Sequence, residues 1–320
     1  MSISDQQLSD YWRHGYVVVE NLLEPGLLGA ARAAFERLYP NWNQYLSQRK
    51  LPAHERMAVA DINGPFRDRA LNAVAIHPDI VEFAKRVIGT DDITMRHTQL
   101  NAKYYGEADY EQYHHLDFGM HTLTFPRDDS TYHILAVVVY YSDVTEHLGP
   151  TCMLSQELTR RQFETPFDGH TGMGRSQLGG SNLRWQLARD KYPELYEQER
   201  PVIVPAGSAL FFNIRTFHRG SRFTGEGARY AHFLNYYAAE HAWAGLEGWG
   251  RYGALDAMQA FLIEATPEAR QLVSFHAVAD PFWNEETLRG VAARYPGMDM
   301  TPYRRAFAER CGERRGELTG

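Results

Sequence analysis

Residues 134–141 read Ile-Leu-Ala-Val-Val-Val-Tyr-Tyr and stop at Ser142-Asp143. Branched and aromatic side chains of this kind fit a pleated backbone, so the run predicts a strand. The same composition recurs on either side of it. Ile93–Tyr105 lies upstream; Thr151–Leu154, Val202–Val204, Ala209–Asn213 and Tyr230–Tyr237 lie downstream. Turn residues separate them, among them Leu148-Gly149-Pro150 and Pro205-Ala206-Gly207. Many strands with turn punctuation and no regular alternation with helices predict an antiparallel sandwich or jelly roll, not a parallel doubly wound sheet. The expected fold class is mainly β with flanking helices.

Working outward, the N-terminal flank reads as helix, strand, helix. Ser4 and Gln7 make a capping box, and Leu8, Tyr11 and Trp12 share a helical face. Gly15 supplies a stop before the strand Tyr16–Val19, and Pro25 suits the first turn of the next helix. Residues 40–70 have mixed polarity and no dominant period. Inside the β region, residues 156–200 form a long insertion. It is glycine-rich over 169–181, with Arg184 and Trp185 following, and a charged stretch near Leu183–Gln198 reads as helix. Connections of this length in a compact domain are usually functional or mobile, so the glycine-rich part reads as a lid or as a surface loop. Beyond 250 the pattern returns to helix at Ala254–Ile263 and Asn284–Ala293, and the charged end from Arg310 is expected to fray. The expected organisation is one domain over 1–320, with core strands over about 93–240 and a helical extension over about 250–320.

The chain has 320 residues, 44% of them hydrophobic, which is enough for a full core. A formal charge of −7 argues against a nucleic-acid partner. No apolar run approaches the roughly 20 residues that span a bilayer, and the first residues have no basic-then-apolar leader. Cys152 and Cys311 are the only cysteines and form no CxxC, which fits a reducing, cytoplasmic compartment without a structural disulfide, the alternative being that the two pair. The expectation is therefore a small-molecule partner, with neither nucleic acid nor membrane.

Fourteen histidines stand out, and most must be ordinary core or surface residues. His115-Leu116-Asp117 is different, because residues i and i+2 of a strand share a face. One imidazole and one carboxylate on one side of a strand make two corners of a 2-His-1-carboxylate triad, which holds Fe(II) by one octahedral face. His77-Pro78-Asp79 has the same spacing, but its proline and the apolar period after it place it at a helix start. There the two side chains lie about 200° apart around the axis and do not converge. The candidate third ligand is His218, after the Ala209–Asn213 strand; the competing reading is a surface loop histidine. Eleven residues on, Arg229 opens the last strong strand. Its planar fork suits a carboxylate, whereas a strand-edge ion pair is the bland alternative. Gln99, Asn101 and Lys103 alternate along one strand face. Either they line the pocket, where Gln99 and Asn101 would contact a cofactor, or they form the solvent face of an edge strand. His121 and His133 read as core or surface residues before they read as cavity residues.

Over roughly residues 4–240 the chain resembles the phytanoyl-CoA dioxygenase family of Fe(II)/2-oxoglutarate-dependent oxygenases. The segment His14-Gly15-Tyr16-Val17-Val18-Val19-Glu20-Asn21-Leu22-Leu23 is similar to the family's entry motif. His115-x-Asp117, the distal His218 and Arg229 at plus eleven match its metal and 2-oxoglutarate residues in order and spacing. Pro205–Phe212 resembles the strand-turn-strand that leads to the distal histidine, and Asp143–Gln156 resembles the hairpin in the same region. Two positions depart from the pattern. Gly220, followed by Ser221, stands where the family commonly has a serine, and Leu154-Ser155-Gln156-Glu157 replaces its usual Pro-Gly-Ser-His.

The resemblance implies a double-stranded β-helix (jelly roll, cupin-like) core with Fe(II) held by His115, Asp117 and His218. It implies 2-oxoglutarate as co-substrate, paired with Arg229 through its far carboxylate, and O2 as oxidant. The expected reaction oxidises a C–H bond of a small organic metabolite, with secondary metabolism as a setting, and releases succinate and CO2. The carboxylate at Asp117 implies hydroxylation over halogenation, because related halogenases have a small residue there. Two alternatives stand beside this reading: a cupin-like metal enzyme that uses no 2-oxoglutarate, and a non-catalytic binding module on the same fold. Arg229 speaks against the first, and the full set of three ligands against the second.

Overall fold

The computed structural model of the chain describes residues 3–52, 55, 61–64, 66–107, 109–117, 127, 132–164, 173–175, 183–241, 256–267, 270 and 275–317. In chain order the elements are α1 (Asp5–His14), β1 (Tyr16–Val19), α2 (Pro25–Phe35), α3 (Trp42–Gln48), β2 (Ile62–Asn63), α4 (Arg69–Ala75), α5 (Pro78–Ile88) and β3 (Ile93–Tyr104). Then come β4 (His114–Leu116), β5 (Leu135–Tyr140), β6 (Thr151–Met153), α6 (Gln156–Gln162), β7 (Met173–Arg175), β8 (Leu183–Leu187), α7 (Pro193–Glu197) and β9 (Arg200–Pro201). The last are β10 (Ala209–Asn213), β11 (His218–Gly220), β12 (Ala228–Ala238), α8 (Asp256–Glu264), α9 (Glu285–Arg294) and α10 (Thr301–Glu317).

The strands form two six-stranded antiparallel sheets. One runs β1-β10-β5-β12-β3-β2 and has the long strands; the other runs β7-β8-β4-β11-β6-β9 and has short ones. From β3 to β6 and again from β10 to β12, consecutive strands switch between the two sheets. β5 lies in the middle of the long sheet, between β10 and β12, and both of its faces are buried. Leu135, Val137 and Val139 join a cluster with Tyr11, Phe35, Ile80, Phe83 and Val87 of the N-terminal helices. Ala136, Val138 and Tyr140 join a second cluster with Met153 and Phe217 on the side of the short sheet. This explains why 134–141 is continuously apolar, since an alternating strand would place polar groups in one of the two layers. Burying a side chain of Val or Leu size contributes about 1.5–3 kcal/mol, so this two-sided strand is a large local source of stability.

Local signals set the helix ends. The Ser4–Gln7 capping box is formed, and Gly15 closes α1 at φ 76°, a left-handed angle that favours glycine. His77-Pro78-Asp79 opens α5, with the His77 ring accepting from the Asp79 N–H and Pro78 in the first turn. The C-terminal helices are part of the second core: Leu262, Trp283, Leu288, Val291, Tyr295 and Tyr303 are all buried in it. An Arg215–Glu286 ion pair fastens α9 to the loop before β11. Among the described residues, no helix is long and apolar enough to cross a membrane. Cys152 and Cys311 are both free.

Two expectations are corrected. The charged stretch from Leu183 is a strand at first: Leu183–Leu187 pairs with β4, and the helix is only Pro193–Glu197. Pairing to β4 satisfies the backbone groups that a helix would have satisfied internally. The strand expected at Val202–Val204 is instead the short Arg200–Pro201 pairing plus a single Val144–Val204 bridge. At the C-terminal end, α10 runs through Arg310 to Glu317. The lid reading of 169–181 falls outside the described residues, apart from Met173–Arg175, which pairs with β8. His121 also lies outside them.

Candidate metal centre

β4 and β11 are both three residues long and meet at one registered pair, His115 opposite His218. Directly opposed residues point to the same face, and Asp117, two residues beyond His115, shares that face. The Phe212 ring of the long sheet stands 4.8 Å from the His218 ring, so the face is the one between the sheets. The three side chains converge. Asp117 Oδ1 lies 3.5 Å from His115 Nε2 and Asp117 Oδ2 lies 3.2 Å from His218 Nε2. All three ligand atoms fall within 4.8 Å of one another. Both histidines are buried, and Asp117 is half-buried.

The backbone sets the orientation of both rings. His115 Nδ1 is 2.9 Å from the Tyr113 carbonyl and His218 Nδ1 is 3.0 Å from the Thr216 carbonyl. A carbonyl only accepts, so each Nδ1 carries the proton and donates. In the neutral ring each Nε2 is then a lone pair directed at a carboxylate oxygen, an acceptor facing an acceptor. A cation between them relieves that repulsion, and two neutral imidazoles with one carboxylate are a donor set suited to Fe(II).

Arg229 projects from β12 toward the same space. Its neighbours Tyr230 and Ala231 fall in the outer and inner cores respectively, so the odd-numbered positions here face the short sheet. Its guanidinium is buried, donates from Nη1 to the Gly149 carbonyl, and leaves Nε without a hydrogen-bond partner. Burial pulls its pKa below the ordinary value; the opposing influences come from Tyr140, Tyr110 and Cys152. Among the described residues no carboxylate pairs with it. A buried guanidinium of this kind suits an anionic ligand.

Gln99, Asn101 and Lys103 alternate with Leu100, Ala102 and Tyr104, which pack on the helices, so the polar three share the inner face. Lys103 is directly opposite Arg229, and Asn101 directly opposite Ala231. Their strand is not the sheet edge, because β2 lies outside it. Gln99 donates to Asn63 at 3.2 Å and Asn101 to Asp61 at 2.6 Å, while Asn101 Oδ1 stays buried and unpaired. At Gly220, a Cβ would stand 3.1 Å from Gln112 Oε1 and 3.5 Å from Lys103 Nζ, so these side chains occupy the room a serine would need. His133 is bound to the Tyr11 hydroxyl at 2.5 Å beside α1, away from the cluster. Gln186, opposite His115 on β8, shares the ligand face and was not anticipated.

Behind the ligands, on the outer face of the short sheet, lies a second polar group that sequence reasoning missed. His114 Nε2 is 2.8 Å from Glu199 Oε2. Arg219 grips the same carboxylate from Nε at 2.7 Å and Nη2 at 2.6 Å, and reaches Glu111 from Nη1 at 2.8 Å. Burial alone would raise the Glu199 carboxyl, but Arg219 and His114 outweigh it and hold it at about 2. Burial pushes His114 down to about 4 despite the pull of Glu199. His114 and Arg219 adjoin the ligands and so point to the opposite face, which the strand period indicates; Glu199 had no comparable signal.

A family model for phytanoyl-CoA dioxygenase (PhyH) matches residues 11–231. Among solved structures, the chain is similar to EctD from S. alaskensis with bound Fe, at 17% identity and TM-score 0.53, over 75% of this chain and 78% of that one. It is also similar to the non-heme alpha ketoglutarate dependent epimerase SnoN from nogalamycin biosynthesis, at 17% identity and TM-score 0.50, over 73% of this chain and 80% of that one. At these identities the likeness is one of fold. A search of curated proteins finds no match.

Proposed function

This chain belongs to the phytanoyl-CoA dioxygenase family, and we propose that it is an Fe(II)/2-oxoglutarate-dependent dioxygenase that hydroxylates a C–H bond of a small organic metabolite. One observation carries the reading: His115, Asp117 and His218 place their ligand atoms within 4.8 Å of one another on the inner face of the short sheet, and Arg229 faces that layer from the long sheet. The two sheets are read as a double-stranded β-helix within a single domain, with the metal between them. EctD, similar in fold, holds Fe, and SnoN is alpha ketoglutarate dependent.

His115, Asp117 and His218 would hold the iron by one octahedral face, leaving positions for a chelating co-substrate and for O2. Arg229 would pair with the far carboxylate of 2-oxoglutarate, and its unpaired Nε supplies a donor for it. Gln99 and Asn101, on the neighbouring strand, line the same face, and Asn101 Nδ2, which now donates to Asp61, is the atom that would have to turn to donate to a carboxylate. The bound metal supplies the oxidising power for R–H + 2-oxoglutarate + O2 → R–OH + succinate + CO2. The protein contributes position and dryness: the Nδ1 bonds fix both imidazoles, and Phe212, Met153 and Tyr140 keep the space between the sheets apolar. Asp117 fills the position that would be open to a halide, which favours hydroxylation.

The test is spectroscopic. Fe(II) and 2-oxoglutarate are added to anaerobic metal-free protein, and the visible metal-to-ligand charge-transfer band is recorded for wild type, His218→Ala and Arg229→Leu. A band in wild type, lost in His218→Ala and needing more 2-oxoglutarate in Arg229→Leu, is expected. No band in wild type, or an undiminished band in His218→Ala, overturns the reading.

A further inference from the structure

The ligand strands meet along a short seam, with the Gln112 N–H donating to the Gly220 carbonyl on one side and the Asp117 N–H to the Ile214 carbonyl on the other. β4 and β11 share one registered pair, and that pair is His115–His218 itself. Successive strand residues point to opposite faces, so His114 lies directly behind His115, and Arg219 directly behind His218. We propose that Glu199 is a positioning residue for the metal site, its carboxylate joining His114 to Arg219 and thereby setting the separation of the two ligand imidazoles. This rests on the metal reading given above.

Three observations carry it. First, the contact is a true bridge. One carboxylate takes His114 at 2.8 Å and both fork nitrogens of Arg219 at 2.7 and 2.6 Å, so it spans both ligand strands. Second, it is enclosed. His114 is 0% exposed and Arg219 3%, and charge-assisted hydrogen bonds in such surroundings are short and directional. Third, it has no substitute on the β4 side. His114 Nδ1 is buried and unpaired, so among the described residues Glu199 is the only hydrogen-bond partner of that ring. Glu111 differs on this last point: it lies three residues before His114 and touches Arg219 and Arg189, but it does not hold the His114 ring. A rotation of His114 about its strand turns His115 by the same amount, because the two share adjoining backbone.

Glu199 sits between α7 and β9, at the end of the long insertion. The insertion thus brings a carboxylate behind the two strands that carry the metal ligands.

The experiment uses Co(II) as the probe. The metal-free full chain is titrated, and affinity and visible d–d spectrum are recorded for wild type, Glu199→Gln and Glu111→Gln, with thermal midpoints alongside. Losing a group hydrogen-bonded directly to a metal ligand typically weakens the metal by about tenfold to a hundredfold, and a group one residue removed is expected at the lower end. Glu199→Gln is expected to weaken Co(II) by about that factor and to shift its d–d band, while Glu111→Gln stays within about twofold of wild type. If Glu199→Gln does not fold, Arg219→Lys serves instead. It keeps the charge but loses the two-point grip, with at least about threefold weakening expected. Wild-type affinity and spectrum in whichever variant is measured overturn the proposal, even where the thermal midpoint falls. Equal weakening in Glu111→Gln overturns it as well. A wild-type chain that binds no Co(II) overturns the metal reading beneath it, and that result is distinct from the other two.

Discussion

The two sheets share a layer of side chains but are held in contrasting ways. In the long sheet, β12 runs in register against β3 from Ala228↔Tyr104 to Ala238↔Ile93, with one irregularity, and against β5 on its other side. Helices cover its outer face with apolar side chains. In the short sheet, β4 and β11 meet at one registered pair, and the ion pairs of Arg219 with Glu199 and Glu111 sit behind them. The difference separates two duties. The long sheet supplies stability through area buried on both faces, whereas the short sheet holds a polar cluster whose spacing matters more than its burial. Substitutions in the two sheets are accordingly expected to move different observables.

The largest effect belongs to the short sheet. Asp117→Ala, assayed by oxygen-dependent succinate formation, is expected to abolish turnover and metal binding with little change in thermal midpoint. Retained turnover would break the comparison outright. Arg229→Leu comes next, the long-sheet exception whose side chain serves the ligand layer. Truncating one partner of a buried charge pair costs about 2–5 kcal/mol, so half-saturation by 2-oxoglutarate should rise by about thirtyfold or more with Fe(II) affinity unchanged. In the long sheet, Leu210→Ala should lower unfolding free energy by about 2–5 kcal/mol in urea while the folded fraction still binds metal.

Acid should act on the ion pairs behind the ligands. Glu199 is held down at about 2 and His114 at about 4. Both folded values lie below the ordinary ones, so the unfolded chain binds more protons as pH falls. The stability that His114 contributes is complete above about 6.5 and is lost as pH falls toward 4; that from Glu199 is complete above about 4.5 and is lost toward 2. Urea midpoints of the metal-free chain at pH 7, 5 and 3 should therefore fall in that order, and a flat series would remove the short sheet's dependence on these groups. The smallest effect is expected for Gln99→Ala, which loses one hydrogen bond to Asn63, about 1 kcal/mol by urea unfolding.

Much of the site was legible because its spacing is local. His115 and Asp117 share a face by strand period alone, and the rejection of His77-Pro78-Asp79 holds because a proline in the first turn starts α5. The continuous apolar run at 134–141 announced β5. Elsewhere, local preference misled or was silent. Leu183–Leu187 has a composition that also suits a helix, and only β4 lying alongside makes it a strand. Gln99 and Asn101 could not be assigned to a pocket or an edge until β2 was seen outside β3.

What the sequence determined by itself was the set of chemical groups and their local directions: the strands, the caps, the i and i+2 pair, and an arginine eleven residues past the distal histidine. Those follow from backbone geometry, which acts over a few residues. The tertiary structure decided what lies across from what. It brought His218 opposite His115 over about a hundred residues of chain, left Arg229 buried with no carboxylate partner among the described residues, and set Glu199 behind both ligand strands. Such juxtapositions depend on register and sheet order, which no short window of sequence contains.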